Sequence, residues 1–207
     1  ISVVWSLISY FLGKTYKEIG DDQQAEHFLE KAAGTELQSQ EFLNFYARFQ
    51  IDQGDFEDAA QLLGNALLRN PGNKFTRLTF RKLLSRLRKE GLIDRAIQVC
   101  EAALEVNPES AWTLWNLASF MRQVGRYDDA RNSLRKALSA QSMQKDILWA
   151  RTANDLAWLL LQSTPSDDAE AEKLWRQSIK DCPVFVVSYL SYGKFLTFRG
   201  RYDEATA

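Results

Sequence analysis

A small residue returns along this chain at nearly constant intervals, and no other feature constrains the fold as strongly. Ala25, Ala59, Ala96, Ala130, Ala171 and Ala205 lie 34, 37, 34, 41 and 34 residues apart. Five residues before the alanine comes Gly20, Gly54, Gly91, Gly125 or Gly200, with Ser166 taking the place of glycine in the fifth unit. Three residues before it stands Phe56, Ile93, Tyr127 or Tyr202, a column that Asp22 and Asp168 interrupt. Pairs such as Tyr46-Ala47 and Leu117-Ala118 precede the alanine, and pairs such as Ala66-Leu67 and Ala137-Leu138 follow it. Pro71, Pro108 and Pro183 close three of the units.

Each column has a physical reason. Apolar residues three and four apart give a helix one buried stripe. Glycine accepts the left-handed backbone that ends a helix, and proline cannot continue the helix before it. Small residues let two helices approach closely. A single helix pair of this kind cannot bury its apolar face, whereas a stack of pairs can. The spacing predicts first helices over 6–19, 40–53, 76–90, 111–124, 147–162 and 185–199, each followed by a turn and a second helix.

These residues resemble the tetratricopeptide repeat, a 34-residue helix–turn–helix unit. The resemblance runs over nearly the whole chain, with repeats at about 6–39, 40–73, 77–110, 111–144 and 147–183 and a partial one at 186–207. It implies an all-α fold, a right-handed α-solenoid of stacked antiparallel helix pairs forming one array over 1–207. The pattern departs from the family at Ser9 and Asp22, at an insertion before the third repeat, and at a longer insertion near "QSMQKDILWA". The chain starts without Met and stops at "GRYDEATA", so a piece of a longer protein is expected.

Composition narrows the function. The charged fraction is 26%, the hydrophobic fraction 45% and the net charge −1, as in a folded chain with no bulk attraction to nucleic acid or anionic membrane. "ISVVWSLISYFL" is too short to span a bilayer. A cytoplasmic location follows as the expectation. One histidine, His27, leaves no Ser/His/Asp or Cys/His set to assemble, and Cys100 and Cys182 read as buried structural thiols. Acids in "GDFEDAA" and "GRYDDA" sit at starts of second helices, where the helix dipole favours them. No catalytic residue, metal site or cofactor is expected, and the chain reads as a non-enzyme.

In the family the resemblance names, first helices line a concave groove that holds a peptide or a partner's helix. Carried onto this sequence, the lining positions include Lys14, Lys17, Arg48, Arg81, Arg88, Arg122, Arg151 and Lys194 against one acid, Glu41. Trp112, Trp115 and Trp158 fall on the same face, and arginine and tryptophan dominate the energetic centres of interfaces. The reading is a basic, tryptophan-bearing groove for a protein partner carrying an acidic segment with hydrophobic anchors, strongest over the third to fifth repeats. A lining tryptophan can instead pack between repeats, and a lining arginine can be a solvated face. The family's carboxylate clamp finds a poor match: Arg81 with Ser85, then Asn116, then Arg151 with Asp155, an acid where a cation belongs.

Two alternatives remain open. "FTRLTFRKLLSRLRKEG" is basic and has Phe75 and Phe80, as an RNA-processing scaffold of half-tetratricopeptide type would, but no stacking aromatics interleave with its charges. Nucleic acid is therefore disfavoured. The array would also serve as the regulatory or targeting arm of a larger enzyme or membrane complex. An unfinished sixth repeat is expected to expose Tyr189, Tyr192, Phe195 and Leu196, and so to permit self-association.

Overall fold

Helix ends are set locally by the residues that satisfy orphan backbone groups. Ser39, Ser110 and Asp167 each accept a hydrogen bond from a backbone N–H in the first turn of the helix they precede. Gly54 shows why glycine holds the turn: its φ is 95°, and its N–H closes onto the carbonyls of Gln50 and Ile51. Glycines 20, 91, 125 and 200 adopt the same hand. The fifth turn, which has Ser166 instead, closes differently, with Asp167 N–H donating 3.2 Å back to Leu160 O.

The computed structural model describes residues 2–34, 39–140, 145–163 and 165–206. Among these every regular element is an α-helix, paired in antiparallel fashion. The chain divides into two compact units, residues 1–86 and 87–207. The first contains α1 (Ser2–Ile19), α2 (Asp22–Ala33), α3 (Gln40–Gln53), α4 (Phe56–Arg69) and most of α5 (Lys74–Lys89). The second contains the end of α5, then α6 (Ile93–Val106), α7 (Ala111–Gln123), α8 (Tyr127–Ser139), α9 (Ile147–Leu161), α10 (Asp168–Asp181), α11 (Val186–Phe198) and α12 (Tyr202–Ala205). No described helix is long and apolar enough to cross a membrane.

The repeated alanines do what their size allows. Ala25, Ala59, Ala96, Ala130 and Ala171 are all wholly buried where helices meet. In the first unit Leu29, Phe42, Leu43, Tyr46 and Phe49 form the core around them. Gly13 lets α1 press onto α2, since a Cβ there would stand 2.8 Å from Leu29 Cγ. In the second unit Trp175 is wholly buried, ringed by Trp158, Tyr192 and Phe195. Both cysteines are buried and unbonded to each other, and burial pushes the Cys100 thiol far above its ordinary range.

Three expectations change. Helix α1 begins at Ser2 rather than 6, and α5 at Lys74 rather than 76, where Asn73 caps it by accepting from Thr76 N–H. The last repeat does not expose Phe195 and Leu196, which are 2% and 1% accessible. Trp175 of the preceding repeat covers Phe195, and an ion-pair cluster of Glu172 with Arg201 holds α12 nearby. Tyr192 is half-buried, donating 2.7 Å to Glu172, while Tyr189, Leu190 and Phe198 are exposed. The expected insertion near 141–150 falls partly on residues 141–144, and the turn "STPSDD" includes 164; both lie outside the described residues.

Candidate functional site

The first-helix face of unit 1 carries two clefts that share Arg48 and Phe75. The larger, about 430 Å³, lies among α1, α3 and the start of α5, with Tyr10, Lys14 and Phe45 around it. The other, about 290 Å³, runs between α3 and α5, over Leu78 and Leu83 with Lys82 and Arg86 at its edge. Arg48 is exposed and takes no ion pair among the described residues, whereas Phe75 is 52% accessible beside it. The cations around the two clefts are Lys14, Arg48, Lys82 and Arg86, and the acids are Glu41 and Asp52. Tyr10 donates 3.4 Å to Glu41, and burial together with that carboxylate raises the phenol's pKa.

Under the larger cleft Asn44 is 3% accessible. Its amide nitrogen donates to Gln40 O at 2.8 Å and to Thr76 Oγ1 at 2.9 Å, which fixes the orientation of the amide. The carbonyl oxygen Oδ1 is buried with no donor among the described residues.

In unit 2 the same face is occupied largely by ties between successive first helices. Trp115 Nε1 donates to Asp155 Oδ2 at 2.8 Å, linking α7 to α9, and Arg151 lies over the Trp115 ring at 5.4 Å. Trp158 Nε1 donates to Ser191 Oγ at 3.1 Å, linking α9 to α11, and its ring meets Trp175 edge-on. Arg88 donates to Ser119 Oγ at 3.3 Å while stacking over Phe120 at 4.6 Å. Trp115 and Trp158 are thus half-buried, each with its indole N–H tied to the next first helix. Trp112 is half-buried. Asn116 is buried and turns back to the Trp112 carbonyl at 2.8 Å. Asn154, another lining position, instead accepts from Trp175 Nε1 at 3.0 Å.

The structure therefore sorts the sequence-predicted residues. It brings Lys14 and Arg48 together in unit 1, and Trp115 with Arg151 in unit 2. Arg81 in unit 1 and Arg122 in unit 2 are exposed and take no ion pair among the described residues. Sequence reasoning missed Phe75 as a cleft residue and undercounted the acids, since Asp52 and Asp155 also border first-helix positions. Among the described residues no group of three or more His, Cys, Asp or Glu is placed to hold a metal ion.

Three tetratricopeptide repeat models match the sequence, over residues 8–36, 40–65 and 87–153, together more than half of its length. The chain is a tetratricopeptide repeat protein. Among solved structures it is similar to MamA, at 21% identity over 77% of this chain and 88% of that one, with a TM-score of 0.53. BtubC (BKLC) from P. vanneervenii matches at 15% identity over 100% of this chain and 87% of that one, with a TM-score of 0.55. Pseudomonas aeruginosa PilF matches at 18% identity over 99% and 89%, with a TM-score of 0.52. At these identities the likeness establishes the fold, the all-α solenoid of stacked helix pairs. No curated protein matches in sequence. Tetratricopeptide repeat proteins are protein-interaction scaffolds and generally non-catalytic, so the partner sought is another protein.

Proposed function

We propose that this tetratricopeptide repeat protein is a non-catalytic scaffold whose first-helix face holds an acidic partner segment carrying apolar anchors. One observation carries the reading: an unpaired Arg48 and an exposed Phe75 are shared by two adjoining clefts. A guanidinium without a carboxylate of its own favours a bidentate carboxylate from outside. An exposed aromatic beside it gives a partner's apolar side chain area to cover. Arg88, Arg122 and Arg151 are further first-helix cations, within unit 2, and none lines these clefts.

The test is affinity capture from source-cell lysate with the unmodified protein, Arg48→Glu, Phe75→Ala, and a triple Arg81→Glu/Arg88→Glu/Arg122→Glu protein side by side. All the altered side chains are exposed, and far-ultraviolet circular dichroism of each variant checks that its helices are retained. A protein captured by the unmodified chain and lost with Arg48→Glu and Phe75→Ala supports the unit 1 site. Loss with the triple variant alone moves the site to the other arginines. Capture dominated by nuclease-sensitive RNA, with affinity falling steeply in salt, overturns the reading in favour of nucleic acid.

A further inference from the structure

Lys14, Arg48 and Lys82 stand one on each of three successive first helices of unit 1, α1, α3 and α5. Lys14 and Arg48 border the larger cleft, and Arg48 and Lys82 border the other. None of the three takes an ion pair among the described residues. The two acids of the clefts already have partners, since Tyr10 donates to Glu41 and Lys17 lies 3.9 Å from Asp52. Apolar surface stays open beside the cations, where Phe75 is 52% and Leu78 37% accessible.

The interval between these cations is set by helix packing. Tyr10 and Phe45 bring α1 against α3 with ring centres 5.7 Å apart, and Asn44 joins α3 to α5 through Thr76 at 2.9 Å. Helices in direct contact lie about 8–10 Å apart, so a cation recurs across the face at about that interval. A β-strand returns a side chain to one face every two residues, at about 6.7 Å, or every four, at about 13 Å, and misses it. A polyproline-II chain has three residues per turn and a rise of about 3.1 Å, so it returns every third side chain at about 9.3 Å. An α-helix returns its seventh residue at about 10.5 Å but is about 10–12 Å across. Clefts of about 430 and 290 Å³ suit side chains and one extended backbone instead.

We infer that the partner's segment crosses this face as an extended polyproline-II-type chain with aspartate or glutamate at every third position. The inference rests on the function proposed above and adds the conformation and spacing that the partner needs. Successive acids meet Lys14, Arg48 and Lys82, one per first helix. Apolar residues at the intervening positions, proline among them, cover Phe75 and Leu78, as polyproline-II segments do on other aromatic-lined grooves.

The test is NMR titration of the full chain with three blocked peptides of one composition. Ac-Glu-Pro-Leu-Glu-Pro-Leu-Glu-NH2 has acids at every third position, Ac-Glu-Pro-Glu-Leu-Glu-Pro-Leu-NH2 at every second, and Ac-Pro-Leu-Glu-Glu-Glu-Pro-Leu-NH2 has them adjacent. The first is expected to bind about three- to tenfold tighter than either isomer, with shifts at Phe75 and Leu78. Lys14→Gln and Lys82→Gln each weaken it about two- to fivefold and narrow that advantage. Equal affinity for all three, lost in Arg48→Glu, would overturn the spacing while leaving the acidic groove standing. Tighter binding of an alanine-rich helical peptide with glutamates seven residues apart would overturn the extended form. No binding of any probe at millimolar concentration, or equal binding of a peptide with lysine for glutamate, would overturn the groove itself and this inference with it.

Discussion

Trp175 offers the sharpest test of how unit 2 is held together. Its indole is wholly buried, and its Nε1 donates to Asn154 Oδ1 at 3.0 Å, with Asn154 itself buried. Trp175→Phe keeps an aromatic ring against Phe195 but withdraws that donor. A buried carbonyl left without a partner costs about 1–3 kcal/mol. The three ring atoms lost, with the cavity behind them, cost about 1–2 kcal/mol more. The expected loss is therefore about 2–5 kcal/mol, or roughly 2–4 °C in Tm for each kcal/mol in a chain of this size. Urea unfolding followed by far-ultraviolet circular dichroism reads it. The polar part is isolated by adding Asn154→Leu, because removing both partners of a buried hydrogen bond is close to neutral. The double variant should recover at least about 1 kcal/mol relative to Trp175→Phe alone. A loss below about 1 kcal/mol, or a double variant less stable than the single, would refute the assignment of this bond to the core.

Other outcomes follow from the same structure. Arg201, Tyr192 and Arg176 hold the Glu172 carboxyl down to about 2, below its ordinary 4.5. A depressed folded-state value means that the contribution is present above pH 4.5 and is lost as pH falls from there to about 2. Glu172→Gln should flatten the acid limb of stability over that window, measured by thermal melts from pH 6 to pH 2. Gly54→Ala should cost about 1–2 kcal/mol through its left-handed backbone alone, since an added Cβ meets nothing within 4 Å. Gly13→Ala should cost about 1–3 kcal/mol for the opposite reason, a clash with Leu29 Cγ and no positive φ, and it should cost less in a Leu29→Ala background, which removes the clashing atoms.

How far the fold could be read in advance depended on which signals were local. Helix α3 was predicted over 40–53 and is observed at Gln40–Gln53, because Ser39 caps one end and Gly54 the other. Helix α5 begins two residues before its prediction because the cap is Asn73, a residue between Pro71 and Lys74 that also reads as part of a turn. That shift hid Phe75. Placed outside the helix it looked like a nearby aromatic, whereas as the second residue of α5 it falls on a first-helix lining position. The covered state of Phe195 was hidden for another reason. Its cover is Trp175, twenty residues earlier and in the preceding repeat, and the periodic columns treat the last repeat as though nothing before it reached across.

The tryptophans show why a lining position is not yet a binding position. First-helix side chains facing the same way meet their counterparts in the next repeat about one period later. Trp115 finds Asp155 after 40 residues, Trp158 finds Ser191 after 33, Asn44 finds Thr76 after 32, and Tyr10 finds Glu41 after 31. An indole N–H seldom stays buried without an acceptor, so the presence of Asp155 or Ser191 one period on draws the indole into the stack. The signal lay in the sequence, in columns compared between neighbouring repeats rather than down one face. By that comparison Arg48 stands out: Lys82 lies 34 residues later, a cation where a carboxylate would be needed to tie it down. A cation opposite a cation cannot close a lateral tie, and the two clefts beside Arg48 are where such a tie is missing. Under the proposed function, a partner's carboxylate would take beside Arg48 the place that Asp155 fills for Trp115, so that binding and repeat stacking would compete for the same kind of position.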